Sequence, residues 1–289
     1  MGRFIENAEI LEHVQVADGT RRLRVRSEAI ARAARPGQFA MVEVAQGNDP
    51  LLRRPLSFHR VHAGTGEMEF LYRVVGRGTN LLSRLTPPHP LNILGPLGNG
   101  FALPRDGERD ILLLAGGIGV APLFELMARI AERSGPDENP RITLIYGART
   151  AGELLPPEPF EPFGVVPLYS TDDGTAGFCG FVTQLLERVT GERGTLPDRL
   201  YACGPLPMQY HAARWAVENG VNAELSLESL MACGLGACLG CALPAPNPDD
   251  PSADRYVHVC KDGPVFPPGA IEWRKIPAIE AVPPIFQCK

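Results

Sequence analysis

The stretch "ILLLAGGIGVAPLFELMARI", Ile111 to Ile130, decides the fold class. Four large aliphatic residues in a row, without polar alternation, are what a strand buried on both faces requires. Gly116, Gly117 and Gly119 then interrupt the run, and the apolar residues after them recur at helical spacing as far as Gly135. Strand, glycine turn and helix in that order open a βαβ unit on a parallel sheet.

Working outward from this stretch, the two flanks differ. Downstream, "RITLIYGA", "GVVPLYST", "FVTQLLERV", "RLYACGP" and "MQYHAARWAVENG" continue the alternation of strand and helix. Upstream, "RRLRVRS", "QFAMVEVA", "LSFHRVH", "EMEFLYRVV" and "LNILGPLG" are short strands separated by Gly, Pro and Asp, a pattern that predicts an antiparallel barrel. After "VNAELSLES" the chain turns cysteine-rich and then proline-rich ("ALPAPNPDDPSAD"). The expected architecture is α/β plus β. A barrel domain spans 1–102, a parallel α/β domain 103–226 and a small cysteine module 227–272, with 273–289 as a tail.

Composition narrows the functional class. Of 289 residues, 44% are hydrophobic and 21% charged, a globular balance, and the net charge of −5 gives no electrostatic basis for nucleic acid or an anionic membrane as partner. No apolar run approaches the roughly 18 residues of a membrane span. "MGRFIENAEI" has no apolar core of a secretory signal, so the seven cysteines are expected in a reducing cytoplasm, where they bind metal or do redox chemistry.

Several turns offer ligand sites. At Gly116, Gly117 and Gly119 the backbone can approach a ligand closely, and the following helix start favours a pyrophosphate; a tight turn without ligand would use the same residues. "YACGPLPM" repeats the arrangement, with Cys203 at a strand tip and Gly204 and Pro205 in the turn. Because ligands of open α/β sheets bind beyond the carboxyl ends of strands, both turns are expected on one crevice. In the barrel, "RRPLS" sets Arg54 for a phosphate and Ser57 for a ring nitrogen, and Gly78 with Thr79 precedes a helical stretch. His59 and His62 read as ordinary core or surface histidines.

Cys233, Cys238 and Cys241 are separated by four and then two residues, and Cys260 follows after eighteen more. This is the C-x4-C-x2-C…C spacing of plant-type [2Fe–2S] ligation. Structural zinc usually takes paired short spacings instead, and remains the competing reading. Cys179 and Cys288 fall outside the set and read as structural or incidental.

"RRPLS", "GRGT", "GPLGNGF", "AGGIGVAPL", "YACGPLPM", "SLESLMACGLGACLGC" and "VCKDGPVF" occur in that order. Together they resemble the electron-transfer subunits of NAD-dependent dihydroorotate dehydrogenases, in the ferredoxin reductase-like superfamily. The resemblance implies an FAD-binding barrel, an NAD-binding α/β domain and a [2Fe–2S] module. It places Arg54, Pro55, Leu56 and Ser57 in the first flavin motif, and Leu71, Tyr72, Arg73, Gly78 and Thr79 in the second. It also implies an FMN-containing catalytic subunit as partner, in a two-plus-two heterotetramer. Ser57 and Cys203 stand as the candidate catalytic residues. Nicotinamide exchanges a hydride and an iron–sulfur cluster single electrons, so a flavin is the converter between them. The sequence departs from the family at the long "PAPNPDDP" spacer and after Trp273. A related flavin and iron–sulfur subunit of another oxidoreductase, such as a bifurcating transhydrogenase or a hydrogenase, is the alternative. Arg149 in "YGART" leaves NAD against NADP open.

Overall fold

The computed structural model describes residues 2–47, 49–133, 140–277 and 279. Six strands come first: β1 (Phe4–Ala17), β2 (Thr20–Arg26), β3 (Phe39–Val42), β4 (Arg54–His62), β5 (Glu67–Arg73) and β6 (Pro90–Leu97). Short helices α1 (Glu28–Ala33) and α2 (Arg77–Leu82) follow β2 and β5. The strands close into a barrel in the order β1-β2-β5-β4-β3-β6, all antiparallel, with β6 returning to β1. Leu23, Val25, Phe58, Met68, Phe70 and Ile93 fill its interior. β1 was absent from the strands expected from sequence. Register shifts between Ile10 and Glu12 and between Gln15 and Ala17 interrupt its alternation, so its apolar residues do not keep a period of two.

The second half contains β7 (Asp110–Gly116), α3 (Val120–Arg133), β8 (Arg141–Ala148), β9 (Leu168–Thr171), β10 (Phe178–Cys179), α4 (Val182–Arg193), β11 (Arg199–Cys203), α5 (Leu206–Glu218) and β12 (Asn222–Ser226). The sheet order is β10-β9-β8-β7-β11-β12-β15, parallel except for β15 (Val265–Phe266), which pairs antiparallel with β12. Side chains of β7 alternate between two cores. Ile111 and Leu113 face the side of α3, while Leu112 and Leu114 face α4 and α5. Both sets are fully buried, which is why the run reads as continuously apolar.

The cysteine segment is not a separate body. Cys241, Leu243, Val259 and Cys260 share one core with Leu112 and Leu114 of the sheet and with Phe39, Met41 and Leu97 of the barrel. The hairpin β13 (Ala242–Ala245) with β14 (Arg255–His258) carries the long spacer as its loop. Trp273 belongs to this core rather than to a free tail, 6.0 Å from the Tyr210 ring, and donates its indole N–H to the Pro268 carbonyl at 3.0 Å. Gly135, expected to end α3, and Cys288 lie outside the described residues.

The barrel is held to the sheet through α3. Glu125, fully buried on that helix, accepts hydrogen bonds from Arg60 (3.1 Å) and the Val61 backbone N–H (2.9 Å) of β4, and from Arg129 (2.6 Å). His59, also buried, packs its ring 4.3 Å from Phe124 of α3, and burial first of all lowers its pKa to about 3. His62, by contrast, is exposed. Removing one partner of a buried ionic network leaves the other uncompensated. Glu125→Ala is therefore expected to cost about 3 kcal/mol of stability in urea or thermal unfolding, and Glu125→Gln less.

Candidate functional site

β7 and β11 run side by side with Ala115 opposite Cys203, and the chain order reverses between them. Their carboxyl ends therefore open on one crevice. The two glycine turns touch. A Cβ on Gly116 would stand 2.5 Å from Met208 Sδ and 3.0 Å from Pro205, and one on Gly204 would stand 3.0 Å from Gly116 Cα. Gly119 and Gly117 have different reasons to be glycine. A Cβ on Gly119 would fall 2.1 Å from the Cys203 carbonyl oxygen, whereas Gly117, at φ +54, faces open space. The first permits helix and strand to pack; the second leaves the turn bare toward a ligand. Together with Arg73, Gly147, Arg149, Asp172, Val182 and Met208 among others, Gly116, Gly117 and Pro205 line a cavity of about 310 Å³.

The barrel carries a second set of candidates, of which Arg73 lines this cavity. Leu56 and Phe58 point into the barrel core, so Ser57, between them on β4, points outward. In the same way Leu71 joins the core beside α3 and Arg73 reaches Glu153, while Tyr72 points inward and shares a 2.8 Å hydrogen bond with His13. Any contact of Tyr72 with a bound flavin must then come from its backbone. The Arg54 guanidinium lies directly over Gly78, where a Cβ would come within 2.3 Å of it, and reaches the Leu52 carbonyl. Thr79 closes the first turn of α2, its Oγ1 accepting from the Val75 (3.0 Å) and Gly76 (3.2 Å) backbone N–H groups.

Cys203 is buried, and that burial, followed by the charge of Glu228, raises the pKa of its thiol well above the usual range. It is a protonated group at the strand tip. Burial raises the Glu228 carboxyl above its ordinary value as well, although the residue keeps exposed surface. It forms no ion pair among the described residues, and a lone acid in "SLES" gave no spacing by which sequence reasoning would have found it.

The four cysteines of the loop come together as two pairs. Cys233 is in side-chain contact with Cys238, and Cys241 with Cys260. Backbone N–H groups aim at the sulfurs: Leu235 at Cys233 (3.3 Å), Cys238 at Cys233 (3.5 Å), Gly236 at Cys260 (3.1 Å) and Cys260 at Cys241 (3.4 Å). Burial opposes ionisation of Cys233, but the N–H donors outweigh it and lower the thiol to about 6. At Cys260, burial and then the adjoining Cys241 push the pKa up to about 12. Among the described residues no three His, Cys, Asp or Glu side chains converge on one ion-sized point. Two pairs of thiols supply two donors for each iron of a binuclear cluster, and donor N–H groups suit its sulfurs, so the loop fits that group. Cys241 and Cys260 are buried, whereas Cys238 is exposed, so one pair faces the core and the other the surface. Cys179 sits in β10, at the opposite edge of the sheet from β15.

Residues 228–272 match the family model described as the iron–sulfur cluster binding domain of dihydroorotate dehydrogenase B, and residues 113–214 match the oxidoreductase NAD-binding domain. A protein of Desulforamulus reducens named "Dihydroorotate dehydrogenase B (NAD(+)), electron transfer subunit" is 39% identical over 267 residues, covering 92% of this chain and 98% of that protein. The chain belongs to this family. A second member, from Fusobacterium nucleatum, is 34% identical over 91% of this chain and 96% of its own length. Among solved structures, the NADH-dependent reduced ferredoxin-NADP oxidoreductase described for flavin-based electron bifurcation matches with a TM-score of 0.78 at 28% identity, over 95% of this chain and 92% of its own. A ferredoxin reductase of carbazole 1,9a-dioxygenase, 21% identical with a TM-score of 0.63 over 76% of this chain and 67% of its own, shares the fold.

The cysteine loop lies within the segment that matches the family's cluster-binding domain. Cys260→Ser is expected to lose most of the iron while FAD stays bound, read as iron and flavin content of the purified protein; full iron would remove Cys260 from the ligand set. The two glycines should separate. Gly117→Asn, a side chain that tolerates the positive φ, is expected to raise KM for NADH in dye reduction with a smaller loss of Tm than Gly119→Ala, whose Cβ meets backbone.

Proposed function

We propose that this chain carries electrons from the FMN of a dihydroorotate dehydrogenase catalytic subunit, through a [2Fe–2S] cluster and FAD, to NAD+ in cytoplasmic pyrimidine biosynthesis, as part of a two-plus-two complex. One observation carries this reading. The loop that pairs four thiols packs directly on the barrel wall: a Cβ on Gly234 would sit 2.5 Å from Met41 of β3 and 3.2 Å from Leu97 of β6. β3 in turn pairs with β4, Phe39 opposite Ser57. The cysteine loop and this wall of the barrel thus share one core, which supports electron passage between groups bound to them.

Bound flavin takes electrons singly and returns them as a hydride, which is what connects a cluster to a nicotinamide. Cys233, Cys238, Cys241 and Cys260 would hold the cluster. Arg54 and the start of α2, with Gly78, would hold the flavin phosphates, and the outward hydroxyl of Ser57 would meet the ring edge. Leu71 and Arg73 stand on the same outward wall. Gly116 and Gly117, with Gly204 and Pro205, would receive the NAD pyrophosphate and leave the nicotinamide end between Ser57 and Cys203. The protonated Cys203 thiol, uncharged, contributes packing and a weak donor there rather than a nucleophile.

The outer side of the loop is suited to a partner. Leu239 is held at φ 59, a conformation that glycine adopts at less cost, and keeps 58% of its surface exposed. Leu230 is 91% exposed nearby in the chain. An apolar rim beside the exposed cysteine pair fits a face covered by the catalytic subunit. A subunit of another oxidoreductase is the second reading, favoured by the fold match to the bifurcating enzyme; dihydroorotate-driven NAD+ reduction by the reconstituted complex separates the two. Leu239→Asp is expected to weaken the complex and stop that reaction, while NADH-to-dye activity through FAD persists. Loss of both activities, or of neither, places the docking face elsewhere.

A further inference from the structure

The carboxylate of Glu153 ties up both arginines of the nucleotide cavity. Its side chain is 9% exposed, just beyond β8. Arg73 from the barrel forms a two-pronged pair with it, one arm at 3.0 Å. Arg149, at the end of β8, donates Nε–H to the same carboxylate at 3.0 and 3.3 Å and adds a second arm through Nη2. The hydrogen bonds of Arg73, against some burial, hold the Glu153 carboxyl down to about 2. It is a fixed anion, anchored by the less exposed arginine and holding the more exposed one.

Arg149 stands where a dinucleotide fold discriminates between cofactors. In such folds the pyrophosphate lies at the first strand's turn, and the group after the next strand meets the ribose 2′ position, an acid for a free hydroxyl and an arginine for a phosphate. Here the first strand is β7, its neighbour is β8 and the next is β9, with Asp172 just past β9 in the same cavity wall. Gly117 to Asp172 is about two strand widths, roughly 10 Å, a nucleoside's reach from its 5′-phosphate. Burial, and then Asp173 and Glu153, raise the Asp172 carboxyl. Two polar atoms of this region, Ser170 Oγ behind Gly147 and His211 Nε2 in the wall, are buried without a hydrogen-bond partner among the described residues. Of the two, His211 lines the cavity, where a bound nucleoside would offer its ring nitrogen a partner.

We infer that Glu153 is a specificity-determining residue that disarms Arg149, so that the cavity takes an adenosine ribose with free hydroxyls and rejects one carrying a 2′-phosphate. By position alone Arg149 would select the phosphate. Its Nε–H and one Nη2 N–H are taken by Glu153, which leaves only the outer Nη1 side of the guanidinium, and Glu153 and Asp172 together cancel the charge of Arg73 and Arg149. A dianionic phosphate entering there meets a neutralised arginine and a carboxylate. The inference rests on this cavity being the nicotinamide nucleotide site proposed above.

The test uses full-length flavin-loaded protein and compares kcat/KM for NADPH and NADH in dye reduction. Glu153→Gln should raise the NADPH-to-NADH ratio tenfold or more, the gain should shrink with added salt, and Glu153→Gln combined with Arg149→Ala should abolish it. A merely structural role for Glu153 would lower both nucleotides together and would not be reversed by losing Arg149. Because Arg73 shares this carboxylate, flavin content is measured alongside. Should it fall, Asp172→Asn, together with binding of 2′-phospho-AMP against 5′-AMP to the Glu153→Gln protein, reads the same preference without the flavin. An unmoved ratio and unmoved fragment preference overturn the inference while leaving NADH oxidation, and so the proposed function, intact. Wild-type protein that oxidises neither nucleotide overturns the underlying assignment instead.

Discussion

Glu125 is the contact on which the arrangement depends. A carboxylate with no exposed surface, it binds two arginines and a strand N–H and so fixes α3 against β4 of the barrel. The same helix begins at the glycine turn of β7, so this one buried anion sets the distance between the barrel wall and the mouth of the sheet. A barrel free to pivot would separate Arg73 from Gly117, which line one cavity. Desolvating the carboxylate is costly, and the three donors offset that cost only in one geometry. The interaction therefore specifies orientation more than it adds stability.

The third segment is joined to the other two by a different means. Its metal loop is small and glycine-rich, too short to bury a core of its own. Cys241 and Cys260 are buried instead by residues of the barrel and the sheet, and β15 extends the sheet edge. The inner thiol pair faces the protein core and the outer pair lies toward the surface.

Charge in the nucleotide cavity is arranged by pairing rather than by composition. Arg73 and Arg149 converge on Glu153, and the wall ends on Asp172. A count of basic residues would predict an anion site along that whole wall. The bare Gly117 turn lies at one end of that wall, while at the other the arginine charges are paired with carboxylates.

By itself the sequence determined the class of the fold and the nature of the metal chemistry. "ILLLAGG" is legible because a strand buried on both faces has no polar alternation, and the four cysteines are legible because ligand spacing is local. The regular strands before residue 100 suggested a barrel for the same local reason, although the bulges of β1 hid the first of them. Tertiary structure decided everything that depends on long-range contact. Gly117 and Gly119 look alike in the chain, yet one faces open space and the other a strand carbonyl contributed about eighty residues later. Arg149 reads as a phosphate ligand until Glu153 folds against it, and Glu228 has no motif to mark it beside Cys203. Periodicity and spacing are properties of neighbours along the chain. Which glycine must yield to packing, and which charge is already paired, depend on residues that only folding brings together.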